Sequence, residues 1–224
     1  MTGDLSRIWY AHHQSPGDPG YVVVGVAGGE FADGTVVELP LPARRPATWL
    51  AEVHVAAAGL VPHRVVVSDI ATPGAPALWH VLLPAADRPS EVDLVAFSTA
   101  DRADGDLLSA AQFETLGIDW GNQVGAMRWD TASGLVRQLY VAPEVRRRGV
   151  ASKTGFAAVC IVRVQGWAPL RADGVRTDLG EAWVRGLPHR WRSDVPERTS
   201  TAPPMTPPAE ATGVPERNLH PDPA

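Results

Sequence analysis

The chain has 224 residues, enough for one good-sized core or two small ones, and its net charge of −5 argues against a general nucleic-acid binder. Its single cysteine, Cys160, excludes an intrachain disulfide, and no apolar run approaches the roughly 18 residues that a membrane helix needs. With no basic-then-apolar leader at its start, the chain reads as soluble and cytoplasmic. Lys153 is the only lysine beside many arginines, which reflects a GC-rich genome first, so arginine content by itself carries little weight.

In chain order, residues 1–60 read as a β-rich N-terminal region. "YVVVGVAGG" and "GTVVELPLP" are β-branched runs broken by Gly and Pro, read as a plain hairpin. The change of pattern at Pro62 opens a second region, 61–193. In it "HRVVVSDIA", "ALWHVLLP" and "DLVAFSTA" read as buried strands. Residues 104–118, "DGDLLSAAQFETLGI", approach helical period, with Gly117 as a stop. Gln123–Trp129 and Leu135–Val141 are extended runs around "DTASG", whose Asp, Ser and Gly suit a tight hairpin loop.

Pro143 ends the second of these strands, and Ser152 is the expected cap of an apolar helix reaching about Val164 and stopping near Gly166. "PLRAD" reads as a short strand. Thr177 then caps "DLGEAWVRG", with Asp178 and Glu181 in its first turn, Arg185 in its last, and Gly186 and Pro188 as stops. Residues 194–224 are proline-rich, poor in large apolar side chains and read as an extended tail suited to assembly contacts. "VPER" occurs twice, at Val195 and Val214, a coincidence rather than a repeat.

The stretch "LYVAPEVRRRGVASK", Leu139 to Lys153, joins the hairpin to the helix. The first N–H groups of a helix are unpaired and carry partial positive charge, so an anion can sit on them where no side chain intrudes. Small residues at Gly149 and Ala151 leave room for that approach, and Arg146 can neutralise a phosphate. The simpler reading of the three arginines is a solvated basic turn.

Arg146-Arg147-Arg148-Gly149-Val150-Ala151 resembles the Arg/Gln-x-x-Gly-x-Gly/Ala signature of the GNAT superfamily of N-acetyltransferases, in the style of an actinobacterium or its phages. The preceding "LVRQLYVAP" is similar to that family's fourth strand. The resemblance covers about Leu94 to Arg190. It implies an α+β fold, a GNAT-like mixed sheet flanked by helices, with a β-rich N-terminal extension and a proline-rich tail. It also implies acetyl-CoA as co-substrate and an amine acceptor, small molecule or protein. The amides around Arg147 to Ser152 would hold the pyrophosphate. Leu139 and Val141 would pair through their main chain with the pantetheine arm, and the Val141 amide would stabilise the oxyanion formed at the thioester.

The match is incomplete. Relatives often carry a tyrosine in the last helix that protonates the leaving thiolate; here Trp183 stands in that helix, and an indole does not titrate usefully. Glu114, Asp119 and Asp130 are candidate bases that read more simply as surface charges, and the direction of the Tyr140 side chain is open. A Walker-type phosphate loop is excluded, because "GVASKT" lacks the required glycines. Cys160 reads as a small core residue, and the adjacent His12 and His13 do not project together as metal ligands, so no metal site is expected. Two functions follow: an acetyl-CoA-dependent N-acetyltransferase with an unidentified acceptor, or a non-catalytic GNAT-like scaffold for assembly, including a virion part. The tail from residue 194 would serve oligomerisation or an assembly partner, and no nucleic acid or membrane partner is expected.

Overall fold

The computed structural model describes residues 7–202 apart from 16–19, 41, 43, 58–60, 86–87, 188–191 and 193–194. Valine-rich runs of alternating burial build a first sheet. Ile8–Gln14 (β1), Tyr21–Ala27 (β2), Trp49–Ala56 (β4) and Val61–Val67 (β5) pair antiparallel in succession, and Val36–Glu38 (β3) lies parallel on the outer side of β1. The second sheet uses Trp79–Pro84 (β6), Glu91–Phe97 (β7), Leu107–Ser109 (β8), Gln123–Asp130 (β9) and Val136–Val141 (β10). Its order, β8-β6-β7-β9-β10, repeats the first sheet's β3-β1-β2-β4-β5 strand for strand.

The correspondence extends to single hydrogen bonds. Asp33 Oδ1 accepts from the Ile8 amide at 2.8 Å, and Asp104 Oδ1 accepts from the Leu78 amide at 2.7 Å. The next residues, Gly34 and Gly105, adopt φ of 80° and 86° and donate to Ile8 and Leu78 in return. Tyr10 takes the Thr35 carbonyl as His80 takes that of Asp106, both at 2.7 Å. The ladder irregularities also coincide, at Gly25/Val26 and Ala96/Phe97. Trp9 and Trp79 occupy matching buried positions on β1 and β6. The fold is thus two copies of one five-stranded unit, with "ADG" at the matching places Ala32 and Ala103; the same triplet recurs at Ala172, outside both units.

The copies meet edge to edge where the Val65 amide donates to the Gly105 carbonyl at 2.7 Å and Arg64 bridges Asp106. Between their inner faces runs one long helix, Val150–Gln165 (α2). Its Phe156, Ala157, Ala158, Ile161 and Val162 share a core with Val53, Val55 and Val65 of the first sheet and Leu94, Met127 and Trp129 of the second. A helix apolar on most sides needs two partners, and the two sheets supply them. Ala110–Glu114 (α1) covers part of the outer face of the second sheet through buried Phe113. Asp178–Gly186 (α3) sits against the start of α2.

Several sequence expectations change. The fold is mixed α+β with a β-rich N-terminal part, but the break at Pro62 is no break in structure, since β5 completes the first sheet. The expected hairpin of residues 21–29 and 34–42 does not form: β2 pairs with β1 and β4, and β3 runs parallel to β1. Residues 104–118 are helical only over Ala110–Glu114, because Leu107–Ser109 pairs with β6 and Ser109 makes a capping box with Gln112. Helix α2 begins at Val150 after the left-handed Gly149, not after Ser152. "PLRAD" contributes a single parallel bridge, Arg171 to Leu135. The hairpin β9–β10, the Gly166 stop and the Thr177 cap stand as expected. The second "VPER" and residues 203–224 lie outside the described residues; before them, Val175–Arg176 (β11) pairs with Ser200–Thr201 (β12).

Candidate functional site

Strand β10 is the last of its sheet. Among the described residues after α2 the chain rejoins only its beginning, where the Val136 amide donates to the Arg171 carbonyl at 2.9 Å. The Ala142 amide donates inward to Val124 at 3.0 Å, so by strand alternation the main chains of Leu139 and Val141 turn to the open edge. The Val141 carbonyl is met by Arg146 Nε at 3.2 Å. That contact folds the arginine back over the strand end.

Between β10 and α2 the loop is tightly wound. Arg147 has φ of 62°, rare for a residue with a Cβ, and Gly149 follows at φ 78°. The outlier at Arg147 brings the chain into the helix within three residues, leaving the amides of Val150, Ala151 and Ser152 at its start. Arg147 and Arg148 are exposed and Arg146 is half-buried. The structure therefore brings Leu139, Val141 and Arg146 to Ser152 together at one corner of the second sheet.

Two features narrow that corner. A Cβ on Gly149 would lie 2.9 Å from the Ala75 Cβ, so the glycine accommodates the strap between β5 and β6 instead of leaving its own side open. The Ser152 hydroxyl accepts from Trp183 Nε1 at 3.2 Å, which places the indole across the first turns of α2. The open approach is over Arg147, Arg148 and Ala151. Lys153, the sole lysine, points away into the protein. It is only 4% exposed and its Nζ donates to the Pro76 carbonyl at 2.9 Å and to Asp104 at 2.8 Å.

Beside the same strand end lies a groove of about 350 Å³ on the outer face of the second sheet. Val95 and Ala126 form its floor, and Asp93, Gln123, Arg128, Gln138 and Tyr140 its polar walls. The side chain of Tyr140 is thus placed: it faces this groove, one residue from Val141. Arg128 holds Asp93 in a fork, Nε and Nη2 at 2.8 and 2.7 Å. These residues carried no signal in the sequence, since three separate strands bring them together.

The three carboxylates considered as bases are placed differently. The Asp119 carboxylate accepts from the Gly121 amide. Asp130 sits at the far end of the β9–β10 hairpin from Val141, where hydrogen bonds from Ser90 and Ser133 pull its pKa down to about 2. Glu114 is exposed on α1. Burial raises the Cys160 thiol to about 12 against the opposing pull of Arg163, as for a core residue and not a nucleophile. Among the described residues no group of three His, Cys, Asp or Glu side chains is placed to hold a metal ion, and no helix is long and apolar enough to cross a membrane. Comparison with protein-family models, curated proteins and solved structures finds no match for this chain.

Proposed function

We propose that the chain is a coenzyme A-dependent N-acyltransferase, with acetyl-CoA along the open edge of β10 and its pyrophosphate at the start of α2. One observation carries the reading. The second half of β10 turns its main chain outward beside the first amides of a sixteen-residue helix, while among the described residues the next segment joins only the strand's beginning. An extended pantetheine arm can add to that edge like a strand, and the phosphates fall at the positive end of the helix among Arg146, Arg147 and Arg148. The Val141 N–H donates to the thioester oxygen as charge develops there. A neutral amine attacks the thioester carbon; the C–N bond forms, the C–S bond breaks, and the proton the amine nitrogen loses ends, by way of solvent, on the leaving thiolate. Trp183 takes no part in that proton transfer, because its N–H is spent on Ser152. The rival reading, an assembly scaffold without catalysis, draws support from Trp183, which stands in the last helix where a proton-donating tyrosine is expected.

Replacing Ala151 by Glu tests the site. A carboxylate in the first turn suits the helix dipole by about 0.3–1 kcal/mol, so the fold should hold. The same charge about 6 Å from a phosphate costs on the order of 1–3 kcal/mol at intermediate dielectric, or about a tenfold or greater loss of affinity. Calorimetric titration with coenzyme A should show binding by the wild type and weak or no binding by Ala151→Glu at equal thermal stability. No binding by the folded wild type, or equal affinity in both, overturns the proposal and leaves the scaffold.

A further inference from the structure

We infer that the groove over Val95 and Ala126 is the acceptor pocket, and that it takes a small amine whose remaining body is uncharged and hydrogen-bonding; this rests on the transferase reading for the chemistry, not for the binding. The two copies of the five-stranded unit provide the argument, because each serves as a reference for the other.

By ladder register, Val22, Val24, Trp49, Glu52, His54 and Val66 in the first copy occupy the places of Asp93, Val95, Gln123, Ala126, Arg128 and Tyr140 in the second. In the first copy this face is closed. Val22 and Val24 are each 1% exposed in a cluster completed by Phe31, Leu39 and Trp49. Arg45 lies across it, 4.2 Å from the Trp49 ring centre and hydrogen-bonded to both oxygens of Glu52 at 2.8 and 2.7 Å. In the second copy Gln stands for Trp and Ala for Glu at the centre, Arg128 and Tyr140 replace His54 and Val66 at the sides, and about 350 Å³ lies open between them. That is the lower end of the range for small-molecule sites. Part of the same face is still closed, by Phe113 and Trp120, whose rings lie 4.0 Å apart. The sheet can therefore be covered, and over Val95 and Ala126 the described residues leave a groove.

What lines the opening sets the class of ligand. Gln123, Gln138 and Tyr140 make no side-chain hydrogen bond to any other described residue, so one phenol and two amides face the groove unengaged. The only charges in it, Asp93 and Arg128, are already paired in a fork. A ligand bearing a phosphate or carboxylate meets no unbalanced cation to offset its lost hydration. An uncharged, hydrogen-bonding body can match the amides and phenol over the apolar floor. Its amine then lies toward Tyr140, the neighbour of Val141 where the thioester carbonyl is proposed to sit.

The test reads binding without chemistry. Side-chain amide NMR signals of Gln123 and Gln138 are followed while the full chain, without coenzyme A, is titrated with glucosamine, glycinamide or phosphoethanolamine. Glucosamine or glycinamide should shift both signals and phosphoethanolamine should not. Ala126→Phe, which refills the floor, should weaken that response at least tenfold, and Gln138→Ala, at an exposed position and read on the Gln123 signal, should weaken it even if the first variant folds poorly. Absence of any shift with both glucosamine and glycinamide, an unchanged response in both variants, or preference for phosphoethanolamine overturns the inference. The two readings fail separately: amine binding without coenzyme A binding removes the transferase and leaves the pocket, while coenzyme A binding with a silent groove does the reverse.

Discussion

Lys153→Met should loosen the junction between the two copies. The lysine is buried in α2, yet it holds the strap after β5 through Pro76 and the turn before β8 through Asp104. Asp104 in turn accepts from the Leu78 amide at 2.7 Å, which starts β6. Asp33 accepts from the Ile8 amide in the first copy as Asp104 does from Leu78 in the second, and the lysine contact is an addition of the second copy. Methionine keeps the apolar stem and removes the charge and three donors. Breaking a fully buried pair costs about 3–5 kcal/mol, but the Asp104 side chain is 34% exposed and keeps the Leu78 amide, so about 2 kcal/mol is expected. At about 2–4 °C per kcal/mol for a chain of this size, the melting temperature should fall by about 4–8 °C. Scanning calorimetry of Lys153→Met, Asp104→Asn and the double variant checks this, and limited proteolysis should show earlier cleavage in residues 72–77. A melting temperature within about 1 °C of wild type, or strictly additive losses, would refute the reasoning.

Gly134→Ala should cost several kcal/mol, about 3–5, because φ is 72° and a Cβ would fall 1.9 Å from the Pro169 carbonyl oxygen. Gly74→Ala, at the same φ with nothing within 4 Å, should cost only about 1–2 kcal/mol; equal losses in urea denaturation would contradict both assignments. His80 is fully buried with neither ring nitrogen hydrogen-bonded, and burial first, then the Lys153 charge, lowers its pKa from 6.5 to about 4. Between those values the unfolded chain binds the extra proton, so stability should fall by about 3 kcal/mol as pH drops from 6.5 to 4 and then level off for this group. His80→Leu should flatten that slope in acid denaturation, and an unchanged pH dependence would count against it.

The elements best read from sequence are those whose ends need a particular side chain. Thr177 caps α3 with its own hydroxyl, and Gly166 ends α2 at φ 66°, and both were legible. The start of α2 was read late because Gly149 supplies no capping side chain, only a left-handed turn. The duplication was hidden for a related reason. Strands pair through the backbone, so a repeated β-unit need preserve only the few positions where the backbone demands a partner: the Asp that meets an amide, and the Gly with positive φ. "ADG" is that trace of likeness, shorter than the chance repeat "VPER", and since it recurs at Ala172 outside either unit, the sequence alone does not single it out. Leu107–Ser109 was absorbed into a helix because three residues cannot show a period, and what makes them a strand is β6, nearly thirty residues earlier.

At the candidate site the same limit divides what was legible from what was not. Arg146 to Ser152 are contiguous, and their strand–loop–helix order is a local property. The open edge of β10 is not, since it depends on how little of the chain after α2 returns to pair with it. The groove is less local still. Asp93, Ala126 and Tyr140 gain a common meaning only when β7, β9 and β10 are laid in register, and their emptiness gains one only against the filled face of the first copy. A unit that closes its outer face with Val22, Trp49 and Arg45 shows that the architecture tolerates full burial there. The second copy buries Trp79, Val81, Val95 and Phe97 as well, but over Asp93, Ala126 and Arg128 it lacks the cover that Trp49 and Arg45 give the first, and forgoes about 25 cal/mol for each Å² of apolar surface such cover would remove from water. The acceptor proposed for the groove would cover that face from outside and supply the missing contacts.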